Sequence, residues 1–469
     1  MRTWKWWPLA VAGLAQVMVV LDATVVTIAL PAMQQQFGMS DLARGWVITA
    51  YALAFGGLLL VGGRLVERFG QRRGFVFGLI GFGLASLLAG AAPTAALLFA
   101  GRALQGVFAA LLAPAALTIV STTYAEGRVR ARAFGIYGAL NGAGAALGLL
   151  LGGFFTEYVN WRWCLLINVP IVIVALLLTR PVIRRGSPQR PRFDVFGALS
   201  SAIGIGALVF ALTEGANFGW SSWVTIGCFA LSAAAFAAFV LSHRLTRDPI
   251  LPFGVVLHHR RGAAFIAIGL PQMALFGFYL VLTYWFQSIF GWPALLAGVA
   301  FLPLAFAIVL GSTFLSALLV RLLSARVVVT GALAVMAVGM LILVGIDPES
   351  SSAFATRFLP AELLVGIGLG ISLSIAIPEA TQELPESASG TASGAVNMFT
   401  QLGGAVGLAI LNTIAAGVTA AAQRSSLTTR APDAAIAGYD VTMICAAGFL
   451  IIAAALVSLV RGALRPRNG

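Results

Sequence analysis

Residues 8–34 read PLAVAGLAQVMVVLDATVVTIALPAMQ, an apolar stretch interrupted by a single charge, Asp22. A helix rises about 1.5 Å per residue, so about 20 apolar residues cross a hydrocarbon layer of about 30 Å, and this stretch is long enough to span it. Asp22 lies about 15 residues beyond Trp7, roughly 22 Å along such a helix and past the middle of the layer. An ionised carboxylate facing lipid there costs several kcal/mol, so Asp22 is expected to face a cavity or a partner and to suit taking up and releasing protons. The alternative is a structural hydrogen bond to a neighbouring helix.

The rest of the chain repeats the pattern. Of 469 residues, 60% are hydrophobic and 10% charged, with mean hydropathy +0.97, where a soluble domain carries about 25% charged residues. Apolar runs and their breaks place helices at 8–34, 45–63, 74–93, 95–123, 133–157, 162–180, 195–214, 221–242, 263–287, 293–320, 326–346, 358–378, 389–418 and 440–460. The expected fold is an all-α membrane protein of fourteen spans with no sizeable extramembrane domain. Met1–Trp7 and the run after it resemble a signal peptide, but the run continues to Pro31 without a good cleavage site, so it reads as an uncleaved first helix.

With the N-terminus inside, the inner segments collect 23 of the 29 Lys and Arg, the outer segments five, and Arg102 lies within the membrane. The positive-inside rule then places both termini in the cytoplasm. The longest inner connections, about 181–194 and 243–262, are basic, contain proline and bracket two helices. The expected organisation is a six-helix bundle over 1–181, linkers and an inserted pair over 182–261, and a second six-helix bundle over 262–469.

Composition excludes several functions. Lys5 is the sole lysine, so no phosphate loop with its essential lysine exists and ATP hydrolysis within the chain is not expected. Cys164, Cys228 and Cys445 are far apart in apolar surroundings, and His243, His258 and His259 have no carboxylate or cysteine at ligand spacing, so no metal and no cofactor is expected. The net charge of +13 comes without an arginine face interleaved with aromatics, so no nucleic-acid partner is expected. No Ser/His/Asp arrangement, intramembrane His cluster or carboxylate pair suggests an enzyme. A carrier is the simplest class, with a small-molecule substrate and the lipid bilayer as its partners, acting as a monomer.

Within the spans, Arg102 cannot shed its proton and needs a neutralising partner or a polar pathway, with Gln105 one turn away on the same face. Its alternative is an interhelical clamp. Gly138, Gly142, Gly144, Gly148, Gly152 and Gly153 make a stripe in the fifth span that serves either sliding or ordinary close packing. Glu157, Glu214, Glu362 and Asp440 are placed near outer ends, where water is available, with Glu214 and Glu362 the best candidates for substrate contact. Asn397, Thr400 and Gln401 share one helix face and either line a cavity or hold a neighbour.

These residues carry a resemblance to the major facilitator superfamily, specifically its fourteen-helix drug:proton antiporter branch. Leu21-Asp22-Ala23-Thr24-Val25-Val26-Thr27-Ile28-Ala29-Leu30-Pro31 is similar to the first-helix signature, with Thr27 where asparagine is usual. Gly63-Arg64-Leu65-Val66-Glu67-Arg68-Phe69-Gly70-Gln71-Arg72-Arg73 resembles the loop signature after the second helix, with Glu67 for the common aspartate. Arg102-Ala103-Leu104-Gln105-Gly106 resembles the fourth-helix signature whose arginine is implicated in proton coupling. Gly144 to Gly153 resembles the antiporter signature of the fifth helix, with Leu149 in place of proline. Gly390-Thr391-Ala392-Ser393-Gly394, with Asn397, Gln401, Leu402, Gly403 and Gly404, points to the same branch.

The resemblance implies alternating access by two rocking bundles, with proton entry driving efflux of small lipophilic or cationic compounds and no cofactor beyond the proton gradient. It implies proton coupling at Asp22 and Arg102. A gate or conformational switch is implied at Gly63, Glu67, Arg68, Gly70, Arg72, Gly148, Gly152 and Gly153, and a substrate cavity that draws on Gln105, Glu214, Glu362, Asn397 and Gln401. Glu67 is expected to brace the cytoplasmic gate, and Leu149 to leave the fifth helix straight. One lysine beside many arginines, alanines and glycines suggests a GC-rich bacterial genome, a plasma-membrane location and self-resistance to a natural product. A proton-coupled importer and a non-transporting membrane receptor are the alternatives.

Overall fold

The computed structural model describes residues 6–124, 127–182, 194–246, 259–350, 352–381, 386–425 and 431–460, and among them every regular element is helical. In the first half, α1 (Trp7–Phe37), α2 (Trp46–Phe69), α3 (Gln71–Gly90), α4 (Ala95–Thr123), α5 (Gly127–Tyr158), the short α6 (Trp163–Leu166) and α7 (Asn168–Val182) follow in order. Then come α8 (Val195–Phe218) and α9 (Trp223–Leu245). The second half holds α10 (His259–Tyr284), α11 (Ala294–Ala300), α12 (Leu302–Leu310), α13 (Ser316–Leu322), α14 (Ala325–Ile342), α15 (Leu359–Thr381), α16 (Glu386–Ser425) and α17 (Ala431–Leu459).

Local chemistry explains the boundaries. Thr94, Asp194, Ser222 and Ser324 cap the amino ends of α4, α8, α9 and α14 with their side-chain oxygens. Gly38, at φ 60°, closes α1 in the left-handed conformation that glycine adopts without penalty. Two apolar stretches that read as single helices are broken. The stretch at 162–180 divides at Ile167 into α6 and α7. The stretch at 293–320 divides at Phe301, just before Pro303, whose missing amide cannot continue the ladder, and again at a π turn over Gly311–Leu315. Leu149 leaves α5 uninterrupted from Gly127 to Tyr158, in line with the backbone donor that proline would remove.

Among the described residues, eleven helices are long and apolar enough to cross a membrane, and Ala43–Leu59 and Trp163–Thr179 are shorter apolar helices. Their outward faces are apolar: Phe77, Leu177, Trp223, Phe306 and Phe314 are all exposed, a disposition that water penalises and lipid does not. In the first half α1 packs on α4 and α5, and α4 on α2 and α3. In the second, α10 packs on α15, α16 and α17, and α14 on α15 and α17. The halves meet along two seams, α5 against α11 and α2 against α16, while α8 and α9 form a hairpin whose α8 lies over the second seam.

Candidate functional site

The first-half charges come together. The Arg102 guanidinium donates to Asp22 Oδ2 at 2.6 Å and to Gln105 Oε1 at 2.8 Å. The Gln105 amide donates to Asp22 Oδ1 at 2.9 Å and to Ser86 Oγ at 2.7 Å, and the Asn168 amide donates to Asp22 Oδ1 at 2.7 Å. Arg102 Nε donates to the Val47 carbonyl at 2.9 Å, and its guanidinium lies 4.5 Å from the centre of the Tyr51 ring. Asp22, Arg102, Gln105, Ser86 and Asn168 are all 0% exposed. The carboxylate accepts from three donors, the pattern of an ionised group, and the pair has the additional hydrogen bonds that a buried ion pair needs to offset desolvation.

Five helices supply this network: α1, α2, α3, α4 and α7. Asp22 and Arg102 were legible as charges inside apolar runs, and Gln105 as a helical neighbour of Arg102. Ser86 and Asn168 were not, because a lone hydroxyl or amide inside or at the edge of an apolar run leaves the pattern unchanged. The Tyr51 hydroxyl and Asn168 Oδ1 are buried here without a hydrogen-bond partner.

The glycine stripe packs α5 on α1. Positions 144, 148 and 152 face Val17, Thr24 with Leu21, and Val25 respectively. At Gly148 a Cβ would meet Thr24 Oγ1 and lie 2.9 Å from the Leu21 carbonyl, one residue from Asp22. Gly148→Val is therefore expected to push α1 off α5 and lower the melting temperature of the purified protein, at a cost of about 1–3 kcal/mol. An unchanged melting curve would show that the contact yields freely.

Gly153 faces the other half, where a Cβ would lie 2.6 Å from Leu295 Cα and 2.7 Å from the Ala294 carbonyl at the start of α11. Beside it the Glu157 carboxylate accepts from the Leu295 amide at 2.9 Å. These contacts belong to a latch at the arginine-poor end of the molecule. There Arg44 donates to Asp41 at 2.8 Å and lies 3.8 Å from the centre of the Tyr284 ring, while the Tyr284 hydroxyl donates to Gln34. The Asn412 amide donates to the Asp41 carbonyl at 2.8 Å, and the Gln287 amide to the Ile28 carbonyl at 2.9 Å. Arg44, one of the five basic residues that the sequence places in outer segments, is buried.

Other expected site residues lie elsewhere. At the turn between α2 and α3, Gly70 has φ 89° and its amide donates to the Val66 carbonyl at 2.9 Å; Arg68 is exposed, Arg72 half-buried, and Gly63 lies near Pro114. Glu67 belongs to α2, but its side chain lies outside the described ones, and the surroundings of Gly138, Gly142 and residues 390–393 lie outside the description too. Glu214 is not a free acid: its carboxylate accepts from the Trp46 indole at 2.8 Å, tying α8 to α2. Glu362, placed near a watery outer end by sequence, is fully enclosed. Thr400 bonds back to the Val396 carbonyl, Gln401 lies against Gly56 of α2, and Asn397 is exposed.

A cavity of about 370 Å³ opens between the α8–α9 hairpin and helices α10 and α16, lined by Phe236, Phe239, Phe265, Met273, Met398 and Phe399 among other apolar groups. None of Gln105, Glu214, Glu362, Asn397 or Gln401 lines it. Among the described residues no group of three or more His, Cys, Asp or Glu is placed to hold a metal ion.

Many apolar helices in two halves that meet along two seams, with an ion pair buried inside the first half, define a multi-pass membrane protein. The Major Facilitator Superfamily profile matches residues 12–408, and the chain belongs to that family. It is 46% identical over 455 residues to the puromycin resistance protein of Streptomyces alboniger, covering 96% of this chain and 90% of that one. It is 36% identical over 414 residues to the cephamycin export protein of Amycolatopsis lactamdurans, covering 87% and 84% of the two chains. Among solved structures, a POT family transporter superposes with a TM-score of 0.67 at 14% identity, covering 97% of each chain, which shows the shared fold.

Proposed function

We propose that the chain is a proton-coupled exporter of small lipophilic or cationic compounds, working by alternating access in a bacterial plasma membrane as a monomer. In this reading residues 1–181 and 262–469 are the two six-helix bundles and residues 182–261 carry the inserted pair. The helices α2, α5 and α6 with α7 complete fourteen spans in this reading, which supports membership of the fourteen-helix branch of the family, and both termini lie in the cytoplasm, which the arginine asymmetry favours. The observation that carries the proposal is the enclosed Asp22 carboxylate held by Arg102, Gln105 and Asn168.

The coupling follows from where α1 reaches. Asp22 ties the middle of α1 to α4 and α7, while Ile28 and Gln34 further along the same helix hold Gln287, just past α10, and Tyr284 at its end, both in the second half. A proton on Asp22 removes its charge, turns an acceptor into a donor and releases Arg102 to Gln105, the Val47 carbonyl and the Tyr51 ring. Because α1 carries both contacts, the two arrangements of the bundles differ in proton affinity, which is the condition for a proton to shift their populations. The apolar cavity beside the inserted pair suits the lipophilic part of a substrate. The names of the relatives support export, and puromycin is the first compound to try.

Expression in an efflux-deficient bacterial host tests the function: tolerance to puromycin or to another lipophilic antibiotic is expected to rise, with less compound retained in the cell. Greater retention would instead favour the importer, and no change across a broad panel would favour the receptor. Gly153→Val tests alternating access, since its side chain would keep α5 and α11 apart at the latch. Transport is expected to fall at least tenfold, and a cysteine placed at Leu295 to react faster with a membrane-impermeant maleimide added outside. Wild-type transport in Gly153→Val would remove this seam from the cycle.

A further inference from the structure

The hairpin of α8 and α9 is tied to both halves near the arginine-poor end, where Glu214 accepts from Trp46 and the Leu212 carbonyl accepts from the Thr413 hydroxyl at 2.9 Å. Its two helices hold each other through the Ser232 hydroxyl, which donates to the Gly204 carbonyl at 2.8 Å. Toward the opposite end the cavity of about 370 Å³ stands between the hairpin and helices α10 and α16. On α10 its wall starts at Phe265, one turn from Arg261, and reaches Met273. The cavity therefore runs roughly 12 Å along that helix from near the arginine-rich end.

The walls select hydrocarbon. Among the described residues that line the cavity, Ser201 has the one polar side chain, and its hydroxyl already donates to the Ala198 carbonyl of its own helix. Water would find no polar partners there, and a charged or hydrogen-bonding group would leave its bonds unmade. An alkyl chain has no such bonds to lose, and at this depth alkyl chains are the solvent that surrounds the protein. Phe236, Phe239, Leu270 and Met398 are half-buried, so the walls reach the surface.

The mouth at the arginine-rich end adds charge. Arg261 lies one turn before Phe265 on α10, and His243 one turn beyond Phe239 on α9, so each continues a wall of the cavity toward the headgroup layer. Both side chains are half-buried. The sequence between these two helices and at their ends also holds Arg244, Arg247 and Arg260, against the single acid Asp248. Asp194, at the start of α8, is buried and engaged by the Gly197 amide at 2.8 Å and the Ser242 hydroxyl at 2.7 Å.

We propose that this cavity holds an acyl chain of an anionic phospholipid, with its phosphate at Arg261 and His243. Apolar walls that end in a basic mouth between membrane helices match both parts of such a lipid. In the function proposed above the same walls suit the lipophilic part of a substrate; the lipid occupies them between transport events, and its binding does not depend on whether the chain exports.

The test uses the full-length protein in phosphatidylcholine vesicles with a trace of phosphatidylglycerol that carries a photoreactive diazirine in its acyl chain. After illumination, peptide mapping is expected to find the adduct at Phe239, Met273 or Met398. The same chain on phosphatidylcholine is expected to label these positions about fivefold less, the gain that one arginine near an anionic headgroup supplies. Arg261→Gln should lose most of that preference and Arg261→Lys should keep it. Ser201→Leu puts bulk into the cavity and removes only a hydrogen bond within one helix, so it should lower the adducts of both lipids there and leave those at the outward-facing Phe314 unchanged. Equal labelling by the two headgroups in the wild type, adducts confined to outward-facing residues, an unchanged preference in Arg261→Gln, or wild-type cavity labelling in Ser201→Leu would each overturn the proposal. The headgroup comparison in the wild type needs no variant and decides the proposal where a substitution lowers the yield of folded protein.

Discussion

Asp22→Asn is expected to abolish uphill efflux while leaving protein in the membrane and passive exchange of substrate intact. The substitution fixes a neutral side chain where the proposed cycle alternates between charge and no charge. It has a structural cost as well, because Asp22 accepts from Arg102, Gln105 and Asn168, and an asparagine has one oxygen to meet them and brings a donor of its own. Arg102 keeps the Val47 carbonyl, Gln105 and the Tyr51 ring, so the pair is weakened rather than left bare. The measurements are membrane abundance, exchange of preloaded substrate and accumulation against a gradient. Wild-type accumulation in Asp22→Asn would remove Asp22 from coupling.

Arg102→Ala is expected to do more damage to the fold. It deletes one of the largest fully buried side chains and removes the cation from a buried pair, changes that cost about 3–5 kcal/mol where such pairs have been broken. Asp22 can recover part of this by holding a proton, an escape that arginine lacks in the reverse substitution. Membrane abundance and thermal stability should fall below those of Asp22→Asn, with accumulation lost. Arg102→Lys should be intermediate, since an ammonium restores the charge but not the fork that reaches both Asp22 and Gln105. A variant Arg102→Ala as stable as wild type would mean that Arg102 holds no network together.

The helices were legible because a membrane leaves little freedom: about 20 apolar residues between polar ends read as a span. The buried pair of Asp22 and Arg102 was legible for the same reason, a charge in such a run being conspicuous. What tertiary packing decides was not legible. Arg44 sits in a loop between two spans, where an arginine ordinarily meets water, yet that loop folds against Tyr284 and buries it. Glu362 looked close to a helix end because the run before it was read from 358; the chain continues helically before it through the π turn over Phe354–Phe358, and the acid is buried instead. Asn168 and Ser86 gain meaning only when α7 and α3 are brought to Asp22.

The central claim is that a proton moves through Asp22 as substrate moves the other way. Energised everted vesicles carrying a lumenal pH dye report this directly: adding puromycin to wild-type vesicles should let protons out of the lumen, and the same addition to Asp22→Asn vesicles of equal protein content should produce no proton movement. Proton release of equal size in Asp22→Asn, or puromycin accumulation in the wild type with no proton movement at all, would contradict the account.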